Sequence, residues 1–393
     1  MARVQLRRGE ERRIKKGHPW VYRTEIETIK GACQPGEIVI VEDYRGRFIG
    51  RGYINPASMI TVRLLTYSRD EEIDTAFWQR RLAAALDYRR KVLANTGADA
   101  YRLVFGEADF LPGLIVDKFG PCLVIQTLAL GIDRYKDTIV QILDEIIQPD
   151  AIYERNDAPV RELEGLELRS GFLKGSFDPQ VVIRENGLKF CVDLVAGQKT
   201  GYFLDQRENR AALHPFVKDA RVLDCFCHTG GFSIHAAHYG AREVLGLDIS
   251  GEAIAMAHRN AALNGYSDLC SFKEANVFDA LREMERRGEK FDVVILDPPA
   301  FVKARKALEG AIRGYKEINL RAMRILTPGG FLVTCSCSYY MPEDLFIEII
   351  QEASLDARRR LRLLARGGQA PDHPVLLGYD ESRYLKCLFL QVI

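Results

Sequence analysis

The stretch RVLDCFCHTGGFSIHAA, residues 221–237, has the pattern of a buried strand that turns through glycine into a helix. The strand is predicted to end at Asp224, and the turn contains Thr229, Gly230 and Gly231. Glycine permits close approach of the backbone, and ligands of open α/β sheets bind at the carboxyl ends of the strands. The stretch therefore predicts a ligand site at the end of this strand.

Strands and helices alternate along the chain from about residue 191. The strands are rich in Val, Ile and Leu, as in EVLGLD (243–248), FDVVILD (291–297) and FLVTCS (331–336), and amphipathic helices separate them. Such alternation is typical of a parallel sheet that is covered on both faces. Residues 191–393 are therefore predicted to form a doubly wound α/β domain.

Two further domains are predicted before this one, as expected for a chain of 393 residues. Residues 1–72 contain short strand patterns, such as GEIVIVED (36–43) and MITVRLLTY (59–67), that glycine and proline separate, which predicts a small β-barrel. Residues 73–190 begin with a helical pattern from Asp74 to Leu93 and continue with mixed strand and helix patterns. They are predicted to form a compact α+β domain.

The composition excludes several classes of protein. Hydrophobic residues make up 47% and charged residues 28%, which is typical of a folded rather than a disordered chain. No apolar run approaches the roughly 18 residues of a membrane span, and the N-terminus lacks a hydrophobic signal segment, so we expect a cytoplasmic protein without a membrane partner. The cysteines are expected to be free thiols. A metal cluster built from the two Cys-x-Cys pairs ranks below buried or catalytic thiols, and no metal is predicted.

The net charge of +1 gives no signal for a polyanionic partner, but the distribution of charge does. Basic residues outnumber acidic ones in the first 24 positions, where Glu10 and Glu11 oppose Arg3, Arg7, Arg8, Arg12, Arg13, Lys15, Lys16 and Arg23. A solvated surface is the ordinary explanation for such a run. A phosphate-binding patch is the alternative, which an RNA-modifying site elsewhere in the chain would favour.

The ligand at the strand ends is predicted to contain a nucleoside. Asp248 ends the next strand, 18 residues after Gly230, where its carboxylate can accept hydrogen bonds from ribose hydroxyls. The glycine spacing does not fit G-x-G-x-x-G, and no lysine follows the glycines as in a P-loop, so dinucleotides and nucleoside triphosphates are disfavoured. S-adenosylmethionine remains as the predicted cofactor, with Asp224, Gly230 and Asp248 as binding residues, although the glycines alone could form an ordinary tight turn.

Further positions complete the predicted cofactor pocket. Asn276 follows a third short strand and could bond the adenine amine, unless it is only the N-cap of the next helix. Asp297 ends another strand, and Pro298 and Pro299 fix the backbone after it, so this turn could hold a planar substrate group beside the cofactor. The other residues predicted to bind the cofactor are Phe226, Thr229, Gly231, Ile249 and Asp297 itself.

Two thiols, Cys335 and Cys337, lie at the end of the last predicted strand. A thiolate that adds to carbon 6 of cytosine makes carbon 5 nucleophilic enough to accept a methyl group. Cys337 is the better candidate, because Cys335 lies nearer the strand and fits a small buried residue. Asp297 would then hold the protonated ring nitrogen or the exocyclic amine. The sequence does not identify the base that removes the carbon 5 proton.

Several long stretches match a known family. They include HPWVYRTEI (18–26), YRLVFGEADFLPGLIVDKFG (101–120), KTGYFLDQR (199–207), EKFDVVILDPPAF (289–301) and RGYKEIN (313–319), with DCFCHTGGF, SCS, DHPV and YLK as shorter matches. Over essentially its whole length the chain resembles bacterial ribosomal RNA large-subunit methyltransferases that make 5-methylcytosine in 23S ribosomal RNA. The resemblance implies 23S ribosomal RNA as the partner. The sequence leaves the oligomeric state open, with a homodimer among the allowed states.

The resemblance also implies what each domain does. It implies an RNA-binding PUA domain over residues 1–72, a central α+β domain over 73–190 and a Rossmann-like class I methyltransferase domain over 191–393. It places KTGYFLDQR over the cofactor, with Phe203 and Asp205 nearby, and it assigns the nucleophile to Cys337 within Ser-Cys-Ser. Cys335 is a departure from the family pattern, and its role stays open.

Two other functions stay open at this point. Relatives of this fold methylate a guanine nitrogen without a covalent intermediate, and they typically lack the cysteine. A non-catalytic RNA-binding or ribosome-assembly protein could retain a cofactor pocket. The combination of Asp248, Asp297 and Cys337 argues against that second alternative.

Overall fold

A computed structural model of the chain describes residues 1–302 and 307–393. They form two compact units. The first comprises Met1–Ile183, Val192–Leu204 and Pro371–Ser382, and the second comprises Arg184–Cys191, Asp205–Ala370 and Arg383–Ile393. Neither unit is therefore a continuous segment of the chain.

The first unit begins with a six-stranded sheet in the order β2-β6-β5-β4-β1-β3. Along β1, Val4 and Leu6 are buried whereas Arg3 is exposed, and this alternation gives the strand one apolar face. The elements are β1 (Arg3–Leu6), α1 (Glu11–Lys15), β2 (Trp20–Tyr22), β3 (Ile26–Lys30), β4 (Ile38–Glu42), β5 (Phe48–Ile54) and β6 (Ile60–Thr66).

The first unit continues with a five-stranded sheet in the order β11-β10-β9-β8-β7. Its elements are α2 (Thr75–Val92), β7 (Ala100–Phe105), β8 (Leu114–Phe119), β9 (Cys122–Thr127), α3 (Leu130–Arg134), α4 (Lys136–Ile147), β10 (Ala151–Asn156) and β11 (Arg169–Lys174). The Asp74 side chain caps α2 by accepting a hydrogen bond from the Phe77 amide. Phe77 and Trp78 then pack in a cluster that also contains Tyr53 of β5, so the two sheets share apolar packing.

A pair of strands, β12 (Gln180–Glu185) and β13 (Leu188–Asp193), leads into the second unit. That unit contains a seven-stranded sheet in the order β16-β15-β14-β17-β18-β20-β19. Its elements are α5 (Arg207–Ala211), β14 (Arg221–Cys225), α6 (Gly231–His238), β15 (Glu243–Asp248), α7 (Gly251–Leu263), β16 (Cys270–Glu274), α8 (Val277–Arg287), β17 (Phe291–Leu296), α9 (Leu308–Ile325), β18 (Leu326–Ser336), α10 (Glu343–Asp356), β19 (Leu361–Gly367) and β20 (Lys386–Val392).

The strand order places a ligand crevice at one edge of this sheet. Strands β14 to β18 pair in parallel, whereas β20 pairs antiparallel with both β18 and β19. The chain adds β15 and β16 on one side of β14 and then returns to add β17 and β18 on the other side. Ligands of such sheets bind outside the carboxyl ends of the strands where the order reverses, which here means β14 and β17.

The observed strands differ from the predicted ones at three places. The predicted end of β14 was Asp224, but the strand continues to Cys225. β18 begins at Leu326 rather than Phe331, because Leu326 pairs with Phe291 at the start of β17. The strand ends at Ser336, so Cys335 lies within it and Cys337 lies beyond it. The antiparallel strands β19 and β20 have no counterpart in the sequence interpretation.

Two kinds of feature are absent from the residues that the structure describes. None of their helices combines the length and the apolar character that crossing a bilayer requires. None of their His, Cys, Asp and Glu side chains gather in groups of three or more that could hold a metal ion.

Candidate functional site

The loop after β14 has an unusual backbone. Phe226, His228 and Gly230 have positive φ values of 64°, 48° and 84°. Residues other than glycine rarely adopt such values, and residues held in this way cluster at ligand-binding sites. A Cβ on Gly230 would lie 3.3 Å from three neighbouring side chains, so packing also favours glycine. The half-buried Thr229 lies within this loop, and Gly231 begins α6.

Asp248, at the end of β15, joins this loop to the next one. Its Oδ2 accepts a hydrogen bond from the His228 amide at 2.9 Å, and its Oδ1 accepts one from the Ser250 amide at 3.0 Å. Each carboxylate oxygen can accept a second hydrogen bond. The side chain is half-buried, and the next residue, Ile249, is 71% exposed. Asp248 and Ile249 thus present a charged acceptor and an apolar surface at the same strand end.

Asp224 lies inside β14 and is fully buried. Its Oδ2 accepts a hydrogen bond from the Ser233 hydroxyl at 2.6 Å, whereas its Oδ1 has no hydrogen-bond partner among the described residues. Burial raises the pKa of this carboxyl to about 7, and the negative charges of Asp297 and Asp248 add to the effect. Because an unpaired buried oxygen is costly, this site favours a ligand that brings positive charge or a donor.

Asp297 follows β17 and is held by a chain of amides. Its Oδ1 accepts a hydrogen bond from Gln206 Nε2 at 2.8 Å. Asn209 Nδ2 donates to Gln206 Oε1 at 2.6 Å and to the Gly368 carbonyl at 3.0 Å, which fixes the orientation of the Gln206 amide. The Asp297 amide donates to the carbonyl of Cys225 at 3.3 Å, so the ends of β14 and β17 are joined.

The two thiols of the Ser-Cys-Ser region have different environments. Cys337 lies just beyond β18, is half-buried, and has its Sγ 3.8 Å from the carbonyl oxygen of Pro298. Cys335 lies within β18, opposite Cys387 of β20, and is fully buried. Burial, with a further contribution from Cys387, raises the pKa of Cys335 well above its usual range. Cys337 is thus the thiol beside the Asp297 turn.

The remaining predicted residues are less clearly grouped. Asn276 is exposed and caps α8 by accepting a hydrogen bond from the Phe278 amide at 3.0 Å, so the N-cap alternative describes its observed contact. Asp205 is buried, and its Oδ2 accepts a hydrogen bond from the Tyr384 hydroxyl at 2.5 Å. Phe203 belongs to the first unit, where Lys199 Nζ lies 4.7 Å from the centre of its ring.

The structure adds residues that the sequence interpretation did not single out. His228 and Ser250 hold Asp248, Ser233 holds Asp224, and Gln206 holds Asp297. Gln206 lies within the quoted stretch KTGYFLDQR, which was a signal for it. The sequence contains no comparable signal for Ser233, Ser250 and His228, because their contacts depend on loop conformations that residue spacing does not determine.

Comparison with known proteins identifies the family. Residues 4–67 match a PUA-like domain, and residues 168–389 match the S-adenosylmethionine-dependent methyltransferase family. Ribosomal RNA large subunit methyltransferase I of Tolumonas auensis is 43% identical over 99% of both chains, and that of Klebsiella pneumoniae (strain 342) is 42% identical over 98% of this chain and 96% of the relative. The chain belongs to the ribosomal RNA large subunit methyltransferase I family.

Solved structures support the fold of this family member. A methyltransferase complexed with SAH has a TM-score of 0.86 at 21% identity, and a Streptococcus mutans protein assigned as SAM-dependent has a TM-score of 0.85 at 21% identity; each covers 100% of both chains. The predicted fold class is confirmed, with an N-terminal PUA-like domain and a methyltransferase fold. The predicted enzyme class and S-adenosylmethionine as cofactor are also confirmed.

The edge of the sheet formed by the carboxyl ends of its parallel strands is called the carboxyl edge here, and its residues fit this cofactor. S-adenosylmethionine carries a positive sulfonium, and the carboxyl groups of Asp248, Asp224 and Asp297 lie at the ends of three adjacent strands. Burial, with a smaller contribution from the charges of Asp297 and Asp248, raises the pKa of Asp224, and a nearby cation would stabilise its ionised form.

Proposed function

We propose that this methyltransferase methylates carbon 5 of a cytosine in 23S ribosomal RNA, with Cys337 as a covalent nucleophile. The names of its relatives, ribosomal RNA large subunit methyltransferase I, support the class of substrate. The observation that supports the mechanism is the position of Cys337, half-buried just beyond β18 and 3.8 Å from the Pro298 carbonyl. A nucleophile at this place can reach a base held by the turn that starts at Asp297.

The proposed chemistry needs two groups of this chain. The Cys337 thiolate forms a bond from Sγ to carbon 6 of the ring, and the ring's electron pair becomes available at carbon 5. Asp297 holds the protonated ring nitrogen or the exocyclic amine, which stabilises the charge that shifts during the addition. The cofactor supplies the methyl group that carbon 5 accepts. Loss of the carbon 5 proton then returns electrons to the ring, and the bond between carbon 6 and Sγ breaks.

The cofactor-binding residues are part of the proposal. Asp248 accepts hydrogen bonds from the ribose hydroxyls, and Ile249 packs beside the adenine. The loop Phe226 to Gly231, with Thr229 and Gly230, approaches the methionine part, and Asp224 provides the negative charge behind it. We retain Asn276, Phe203 and Asp205 as further cofactor contacts.

RNA binding is assigned to the basic N-terminal segment. Arg7, Arg8, Arg12 and Lys16 are exposed, whereas Arg13 forms an ion pair with Glu25 at 2.7 Å. Exposed cations of this kind bind phosphates without reading the bases. The Arg8→Gln, Arg12→Gln double variant is expected to bind RNA less tightly and to lower the slope of log affinity against log salt by about 1.4 to 1.8, since each lost phosphate contact removes roughly 0.7 to 0.9.

Charge variants are preferable to deleting residues 1–70. Trp20 Nε1 donates to Glu107 at 2.7 Å, and Arg63 forms a buried ion pair with Glu164 at 2.9 Å, so a deletion would leave buried carboxylates unpaired. The Arg286→Gln, Arg287→Gln variant on α8 is the matched control, and it should leave the slope unchanged. An equal slope in wild type and the N-terminal variant would contradict the assignment.

Three features complete the proposal. We place the domain boundaries between residues 72 and 73 and between residues 190 and 191. A cytoplasmic location follows from the ribosomal substrate. A homodimer is an allowed oligomeric state. Size-exclusion chromatography with light scattering measures the last of these directly.

The decisive experiment uses RNA that contains 5-fluorocytosine at the target. Fluorine at carbon 5 cannot leave as a proton does, so the bond to Cys337 cannot break and an adduct accumulates. We expect the adduct in the wild type and in Cys335→Ala, and its loss in Cys337→Ala. Denaturing gel electrophoresis with peptide mass spectrometry measures it. An adduct that survives Cys337→Ala but not Cys335→Ala would move the nucleophile to Cys335, and no adduct in any variant would favour methylation of a guanine nitrogen.

A further inference from the structure

A buried lysine lies beside the proposed nucleophile. Lys386 is the first residue of β20, pairs opposite Ser336 of β18, and is only 4% exposed. Its Nζ donates hydrogen bonds to the carbonyls of Ser338 at 2.5 Å and Tyr384 at 2.8 Å. Ser338 follows Cys337 directly, so the ammonium is anchored to the backbone of the nucleophile's own loop.

This ammonium has two neutral hydrogen-bond partners, although burial of a charge is costly without a counter-charge. Glu343 of α10, the neighbouring carboxylate, already forms ion pairs with Arg383 at 2.9 Å and with Arg366 at 3.3 Å. An ammonium has three N–H donors, and the two carbonyls use two of them. Among the described residues the third donor has no hydrogen-bond partner, so the sulfur of Cys337 is a candidate acceptor.

The charges around Lys386 agree with this arrangement. Its pKa is lowered to about 8, mainly by burial and also by Arg383, whereas Cys337 and Glu343 act in the opposite direction. Cys337 has the largest effect of these three side chains. The hydroxyl of Tyr315 on α9 lies 3.0 Å from Ser336 Oγ, and the charges of Cys337 and Asp297 both contribute to raising its pKa, after burial.

We propose that Lys386 is a positioning residue that fixes the Cys337 loop through Ser338 and stabilises the Cys337 thiolate with its positive charge. The inference rests on the proposed function of Cys337. Ionisation breaks the S–H bond and releases the proton to water, Lys386 stays protonated, and the electron pair left on Sγ forms the bond to carbon 6. A cation beside a thiol lowers the thiol's pKa, which increases the fraction of nucleophilic thiolate at neutral pH.

The test measures the reactivity of Cys337 without RNA or cofactor. The full-length protein is treated with iodoacetamide from pH 5 to pH 10, and peptide mass spectrometry follows alkylation of the Cys337 peptide alone. In Lys386→Met we expect the midpoint of the pH profile to rise by at least one unit, so that the rate at pH 7 falls about tenfold, because only the thiolate reacts. Lys386→Arg keeps the charge and should restore most of the rate.

Lys290→Met is the matched control. Lys290 lies in the same unit, and its Nζ also donates to a backbone carbonyl, that of Arg324, at 2.7 Å. It directly precedes β17, at the opposite end of that strand from Asp297. It should leave the Cys337 profile unchanged. Calorimetric titration with S-adenosylmethionine verifies that each variant is folded, and Lys386→Gln replaces Lys386→Met if that variant does not bind.

The outcomes separate this inference from the proposed function. An unchanged alkylation profile in folded Lys386→Met and Lys386→Gln overturns the role of Lys386, even when wild-type protein still forms the 5-fluorocytosine adduct. A raised midpoint that Lys386→Arg corrects supports it. Failure of wild-type protein to form any adduct rejects the proposed function instead, whatever the alkylation profile shows.

Discussion

The carboxyl edge of the second unit's sheet has two halves of opposite character. On β15, β14 and β17 the polar groups are the carboxyls of Asp248, Asp224 and Asp297, whereas at β18 and β20 they are the Cys337 thiol and the Lys386 ammonium. The first half suits a cationic cofactor, and the second suits a nucleophile that must become an anion. The comparison shows how one sheet can stabilise opposite charges a few strands apart.

Burial acts on both halves but in opposite directions. It raises the pKa of Asp224 to about 7 and lowers that of Lys386 to about 8, because a low-dielectric environment disfavours whichever form is charged. Each pKa is thereby brought close to physiological pH, where Asp224 is partly ionised and Lys386 is still mostly protonated. In the proposed function, the sulfonium of the cofactor favours the ionised form of Asp224, and the Cys337 thiolate favours the protonated form of Lys386.

Asp297 lies where the two halves meet, and after removal of the Cys337 thiol its replacement is expected to have the largest effect on methyl transfer. Asp297→Asn keeps the shape but removes the charge that holds the protonated ring, so methyl transfer should fall by about 10² to 10³. Single-turnover methyl transfer to RNA measures this. The alkylation profile of Cys337 should stay the same. If activity stayed within about twofold of wild type, Asp297 would belong to cofactor binding alone.

Asp248→Ala should affect only the acidic half. Loss of a charged acceptor costs about 1.5 to 3 kcal/mol, so S-adenosylmethionine should bind about 10 to 150 times more weakly by calorimetric titration. Asp279→Ala on α8 is the control, because Asp279 is exposed and its replacement should change nothing. Equal affinities for wild type and Asp248→Ala would remove Asp248 from the site.

The pH dependence of cofactor binding tests Asp224. Its carboxyl is protonated below about pH 7 and ionised above it. A sulfonium binds the ionised form more tightly, so affinity should rise as the pH increases from 6 to 8, by up to about tenfold, which corresponds to one pKa unit of coupling. S-adenosylhomocysteine, whose sulfur is a neutral thioether, should show a weaker dependence. In Asp224→Asn the dependence should disappear for both ligands.

The same pKa has a consequence for stability with a definite sign. Because the pKa of Asp224 is raised by folding, its contribution is favourable below about pH 4 and is lost as the pH rises towards about 7. Asp224→Asn cannot ionise, so the variant should gain stability relative to wild type over that interval. Urea unfolding at pH 5 and pH 8 measures the difference, and equal differences at both pH values would contradict the assigned pKa.

The sequence predicts one half of the edge better than the other. Asp248 and Asp297 could be found because parallel βα units place every strand's carboxyl end at the same edge. Lys386 could not be found in this way, because β20 is antiparallel and does not belong to a repeated βα unit. It lies 48 residues after Ser338, so sequence proximity does not connect the two residues either. Gln206 is similar, since 91 residues separate it from Asp297.

Local conformation limited the sequence interpretation as well. Asn276 fitted both an adenine contact and an N-cap, since both need a polar side chain at a strand-to-helix turn, and the structure shows the N-cap hydrogen bond. The start of β18 was predicted at Phe331 but lies at Leu326, because strand length depends on pairing with the neighbouring strand. Pairing with β20 places Cys335 inside the strand and leaves Cys337 beyond it, a distinction that the apolar pattern alone does not draw.

The smallest expected effect is a change in stability, and it helps to distinguish the two thiols. Cys335 is fully buried in β18 opposite Cys387, whereas Cys337 is half-buried beyond the strand. Removal of each sulfur should therefore have a different effect on stability and on methyl transfer. Cys335→Ala leaves a small cavity, and we expect a loss of about 1 kcal/mol in the free energy of unfolding with methyl transfer retained. Cys337→Ala should cost less stability and abolish methyl transfer, because it deletes the nucleophile and little buried volume. Urea unfolding and methyl-transfer assays on both variants give the comparison. A Cys335→Ala protein as stable as wild type but inactive would place Cys335 in the chemistry and undo the division between a structural and a reactive thiol.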